Sequence, residues 1–104
     1  MTYRINVGYR HPADPAAFDE YYRNTHMPIA ARIPGLVRLS AGRTDSLDGT
    51  APEFYVMGEL LFESRDSALA ALGSPEGQAA AADIAHFADG GFVMLFSPEE
   101  WALP

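Results

Sequence analysis

Apolar and polar positions alternate from the start of the chain. Tyr3, Ile5, Val7 and Tyr9 are separated by Arg4, Asn6 and Gly8, the period of two that marks a strand. After a turn from His11 to Asp14 the period lengthens. Phe18, Tyr22, His26 and Ile29 recur at spacings of four, four and three, so they share one side of a helix, flanked by Tyr21, Thr25 and Ile33. Asp14 stands where an N-cap belongs, with Pro15 in the first helical position. Pro28 lacks a backbone donor and drives Met27 away from helical geometry. The helix is therefore expected to end or kink near His26, with another turn or two before Pro34-Gly35.

Leu36 to Arg43 reads as a second strand, with Val37, Leu39 and Ala41 on one face. Thr44 to Glu53 is a polar loop. Phe54 to Phe62 is a third strand, with Phe54, Val56, Leu60 and Phe62 facing one way and Tyr55, Met57, Glu59 and Leu61 the other. Ser64 caps a short helix ending at Gly73, and Ser74-Pro75 restarts helix through the alanine run toward Phe87. Asp89-Gly90-Gly91 is a break before a fourth strand, Phe92 to Phe96, and Ser97-Pro98 begins a tail carrying Trp101. The order β-α-β-β-α-β predicts an α+β, ferredoxin-like fold: a four-stranded antiparallel sheet with the helices on one face.

Helices on one side leave the other side of the sheet to water, and that side should be polar. Tyr55, Met57 and Leu61, and Val93 and Leu95, break the rule, because their neighbours on the opposite face are equally apolar. Both faces want burial, and a second copy packed sheet against sheet supplies it. A homodimer is expected.

The length of 104 residues fits one domain spanning 1–104, and 48% hydrophobic content excludes a disordered tail. The net charge is −7, with no lysine and seven scattered arginines. Without a basic patch, nucleic acid and anionic membrane are excluded as partners. The absence of cysteine removes disulfides, thiolate chemistry and Cys-based metal sites. MTYRINVGYR is a strand pattern rather than a signal peptide, and no apolar run reaches membrane-spanning length, so a cytoplasmic location is expected. Phosphate-binding glycine loops and Ser-His-Asp patterns are also missing.

Two segments, YYRNTHMPIAARIPGL (Tyr21 to Leu36) and SPEGQAAAADIAHFADGG (Ser74 to Gly91), set in this strand context, resemble the EthD-type members of the dimeric α/β-barrel superfamily. The resemblance covers nearly the whole chain and implies a dimeric α/β barrel. EthD-like proteins are associated with degradation of ethyl tert-butyl ether beside a cytochrome P450 system. Wider relatives include cofactor-free monooxygenases, lactone isomerases, polyketide cyclases and haem-degrading enzymes. The last group uses a first-strand asparagine, a helix histidine and a third-strand tryptophan. Asn6 and His86 match the first two, but here the third strand has no tryptophan.

His26 carries the sharpest candidate chemistry. An imidazole on an apolar stripe can take a proton from an acidic C–H or phenol, while the Tyr22 hydroxyl polarises a carbonyl. The same imidazole can instead cap carbonyls freed by Pro28, and the sequence leaves both roles open. Asp83 and His86, three apart on a helix, form either a second polar corner or a solvated ion pair. As a metal pair they fall short of three or four ligands, and only His11 remains to join them; no metal or other cofactor is expected. Asn6, Phe18, Tyr55, Met57 and Phe87 are candidates to contact substrate, although strand aromatics and methionines also serve as plain core. The expected protein is a small cofactor-free enzyme acting on an apolar or aromatic molecule by oxygenation, isomerisation or cyclisation. Its rival is a non-catalytic dimeric protein that binds a hydrophobic metabolite or supports a partner oxygenase.

Overall fold

Strand β1 (Tyr3–Arg10) leads into helix α1 (Pro15–Tyr21), a π turn (Tyr22–His26) and helix α2 (Met27–Ala30) in the computed structural model, which describes residues 1–104. Strands β2 (Leu36–Arg43) and β3 (Phe54–Phe62) follow, then helices α3 (Arg65–Gly73) and α4 (Pro75–Asp83), a 3₁₀ turn (Ile84–His86) and strand β4 (Phe92–Pro98). The sheet order is β2-β3-β1-β4 with every neighbour antiparallel, the expected ferredoxin-like α+β arrangement. Ile5, Val7 and Tyr9 of β1 and Val56 and Phe62 of β3 form the sheet side of the core. Phe18, Ala30, Ala68, Ala71, Ala80 and Ile84 close it from the helices.

The helix starts form as the sequence implies. Asp14 accepts a hydrogen bond from the Ala17 amide, Ser64 from Ser67 and Ser74 from Gly77, each satisfying a donor that the first turn leaves free. Pro28 acts differently from expectation. The helix does not end at His26, and Met27 keeps helical angles (φ −58°, ψ −43°). The chain instead widens into the π turn, where the Met27 N–H donates to the Tyr22 carbonyl. One inserted residue takes up the lost donor and the ring clash that proline imposes on the preceding turn.

Two strands depart from simple alternation, both at bulges. Arg10 pairs with Phe54 but Tyr9 with Val56, so Tyr55 is an extra residue. Tyr55 therefore turns toward the helices, its ring edge-on to Phe18, while Phe54 lies against Gly8 on the open face. This reverses the expected sides of both aromatics. Leu36 pairs with Phe62 and Arg38 with Leu61, which leaves Val37 as the odd residue, exposed rather than facing the core with Leu39. Strand β4 also runs two residues further than expected, to Pro98. The open face keeps Met57 and Leu95 in solvent beside Asn6 and Glu59.

Candidate functional site

A cavity of about 50 Å³ lies between the sheet and the helices, and 14 of its 17 lining residues are hydrophobic. Ile5, Val7, Leu60 and Met94 line it from the sheet, and Ala30, Ala80 and Ile84 from the helices. Its polar edge consists of Tyr9, Tyr22 and His26. Tyr22 and His26 bound the π turn and stack, with ring centroids 5.5 Å apart. Phe87 packs against the imidazole at 4.6 Å, and Tyr9 meets Tyr22 edge-on.

His26 is 5% exposed and its Nδ1 lies 2.9 Å from Asp83 Oδ2. The Tyr21 hydroxyl donates to the other carboxylate oxygen, Oδ1, at 2.6 Å. Burial pushes the Asp83 carboxyl up, but the hydrogen bonds from Tyr21 and His26 outweigh it and hold the group below the usual carboxylate range. An ionised carboxylate only accepts, so Nδ1 carries the proton and Nε2 is the free base of the ring. Burial lowers the imidazole's own pKa, partly offset by the Asp83 hydrogen bond and charge, so His26 is neutral at pH 7. Burial raises the Tyr22 phenol to about 12 and Tyr9 further still, so both keep their protons.

The geometry shows where His26 Nδ1 and the Asp83 carboxylate direct their hydrogen bonds. The imidazole does not cap carbonyls freed by Pro28; its ring bond goes to Asp83. Asp83 does not pair with His86, which lies exposed on the surface, because the carboxylate turns inward to Tyr21 and His26. His11 is also remote from the pair: its Nε2 meets the Pro52 carbonyl at 2.7 Å. No group of three or more His, Asp or Glu side chains is placed to hold a metal ion.

Of the candidate substrate contacts, none lines the cavity. Asn6 and Met57 belong to the open face, where the strand period places every second residue. Tyr55 donates its hydroxyl to Asp19 at 2.8 Å. Phe18 and Phe87 pack behind Tyr9, Tyr22 and His26 and border an outer groove. Sequence reasoning missed Tyr21, Tyr9 and Gly58. Gly58 matters because a Cβ there would sit 3.0 Å from the Tyr22 hydroxyl. A glycine in mid-strand signals such a close approach, and an aspartate amid alanines signals a missing partner.

The four-stranded antiparallel sheet with helices on one face defines the fold class, and comparison with known proteins supplies the family. Residues 10–91 match the EthD domain, and the chain belongs to the EthD family. An 11.0 kDa protein from the thcB–thcC intergenic region of Rhodococcus erythropolis is 54% identical over 98% of this chain and 99% of its own. The crystal structure of an EthD family protein from Bacillus halodurans is 33% identical, with a TM-score of 0.88 over 95% of this chain and 99% of that one. SnoaB, a cofactor-independent oxygenase from Streptomyces nogalater, shares the fold at 19% identity and a TM-score of 0.67, over 99% and 96% of the two chains. No helix is long and apolar enough to cross a membrane.

Proposed function

We propose that this protein is a small acid/base enzyme, acting without a bound cofactor on an apolar or aromatic small molecule in the cavity between sheet and helices. The observation that carries this reading is the buried Asp83–His26 pair, with Nδ1 engaged and His26 among the residues that line the cavity. Asp83 fixes the tautomer and stabilises the imidazolium that forms when Nε2 takes a proton. The Tyr22 hydroxyl, protonated across the physiological range, donates to the oxygen on which negative charge develops. Apolar walls exclude water and strengthen both interactions. Oxygenation, isomerisation and cyclisation can each begin with such a proton transfer. The cofactor-independent oxygenase on this fold supports that class. The molecule works as a homodimer, because the open face leaves Met57 and Leu95 in solvent.

Deuterium exchange into apolar ketones and phenols with acidic C–H bonds, followed by NMR in heavy water, tests the reading even while the natural substrate is unidentified. Exchange should depend on the protein and fall by about 10²–10⁴-fold in His26→Gln. Binding of such compounds with no exchange above background overturns catalysis and favours the metabolite carrier.

A further inference from the structure

Tyr22 faces two spaces. Its ring lines the inner cavity, and it also forms the inner edge of an open groove of about 450 Å³. Asp19 and Arg23 border that groove from the helix, and Ala41, Gly42 and Arg43 from the edge strand β2. A cavity of about 50 Å³ holds only a few heavy atoms, so the rest of any larger ligand must lie outside it. Only the half-buried Tyr22 is shared by the two spaces. Its hydroxyl rests over Gly58, where any side chain would press on it.

The groove is locally cationic in a chain of net charge −7. Its single carboxylate, Asp19, is already engaged, by the Tyr55 hydroxyl at 2.8 Å and by Arg43 at 3.4 Å. Arg23 is exposed and takes part in none of the ion pairs of the structure. Two guanidinium groups thus stand against one carboxylate; Arg43 offsets Asp19, and Arg23 is left free to meet an anion.

We propose that this groove is the entrance to the cavity, that Tyr22 over Gly58 is its gate, and that the preferred ligand carries a carboxylate or similar anion. Arg23 and Arg43 hold that anion at the mouth while the apolar end of the ligand reaches past Tyr22 toward His26. The inference rests on the reading of the cavity as the reaction site. It assigns the ligand an amphipathic shape: an apolar head of a few atoms, a short stem and an anionic end.

The test compares hexanoate with 1-hexanol, whose thin alkyl ends suit a cavity of this size, by calorimetry and by NMR of the His26 ring, in the wild type, Arg23→Gln and the double variant Arg23→Gln/Arg43→Gln. The carboxylate should bind about ten-fold tighter than the alcohol, as a charge-assisted contact implies. Both variants should weaken that preference, the double variant removing it, with the alcohol's affinity unchanged. Salt should erode the preference in the wild type. Both probes should shift the His26 resonances. Equal binding of acid and alcohol, with His26 still shifting, overturns the anionic mouth and leaves the cavity reading intact. A preference that survives the double substitution overturns the assignment to these arginines. Arginine-dependent binding that leaves His26 untouched overturns the entrance and counts against the cavity as reaction site. Failure of both probes to bind overturns the proposal.

Discussion

Asp83 Oδ2 lies 2.9 Å from His26 Nδ1, joining two helices across 57 residues of chain. Both groups are buried, so the bond forms away from competing water, and Tyr21 satisfies the carboxylate's second oxygen.

Asp83→Asn should show how much depends on the charge. The amide keeps the shape of the carboxylate but loses one acceptor, so either Tyr21 or His26 is left facing a donor. Removing one partner of a buried pair costs the desolvation of the other, about 1–3 kcal/mol. Urea unfolding should register that loss. Asp83→Ala should lose at least as much; an unchanged midpoint in both variants means that the pair contributes nothing to stability.

Acid should weaken the fold in two stages. The folded pKa of His26 lies below its ordinary value near 6.5, so as pH falls the unfolded chain takes up the proton first. Stability therefore declines from about pH 6.5 down to the folded pKa. Asp83 is also depressed; its contribution holds above the usual carboxylate range and is lost as pH falls through its folded pKa. Unfolding free energies measured between about pH 7.5 and about pH 5 should slope downward with acidification. His26→Gln should flatten that slope, and an identical slope in the variant assigns the effect to other groups.

The strand ends of β2 and β3, the three helix caps and the fold class were legible because each depends on residues within a few positions of one another. What was not legible depends on long-range packing. The bulge at Tyr55 is set by the register of β1 against β3, which a period of two along one strand does not contain. The response to Pro28 is set by what the helix packs against, since a π turn preserves burial of Phe18, His26 and Ala30 where a break would lose it. The Asp83–His86 spacing suggested a local pair, yet burial decided otherwise. An aspartate turned into an apolar layer needs donors, and Tyr21 and His26 were the ones within reach.

Self-association is expected to follow from the open sheet face. Leu95 is 59% exposed there, flanked through the register by Asn6 of β1. In an isolated chain, Leu95→Glu replaces a solvated leucine and should be nearly neutral. In a sheet-to-sheet dimer it buries an unpaired charge and should split the pair. Sedimentation of the wild type should give about twice 11.3 kDa, and the variant about that single mass with its helical content intact. A wild type that sediments as a stable monomer ends the dimer reading.

Gly58→Ala tests the close contact beneath Tyr22. The added methyl would lie 3.0 Å from the Tyr22 hydroxyl, tighter than ordinary packing, and Gly58 sits between Val7 and Ala41 in the sheet, where the backbone cannot yield. The tyrosine must move instead. Such overpacking costs about 1–3 kcal/mol, reduced here by the better strand propensity of alanine, so the net loss should fall near the lower end. Displacing Tyr22 also disturbs its stack on His26 and its edge contact with Tyr9. Near-ultraviolet circular dichroism should therefore change even though the far-ultraviolet spectrum does not. Tyr22→Phe supplies the control, because it removes the hydroxyl that the methyl would meet. In that background Gly58→Ala should become close to neutral, a coupling of about 1 kcal/mol measured by the double-mutant cycle. Additive effects of the two substitutions would mean that Gly58 is required for a reason other than Tyr22.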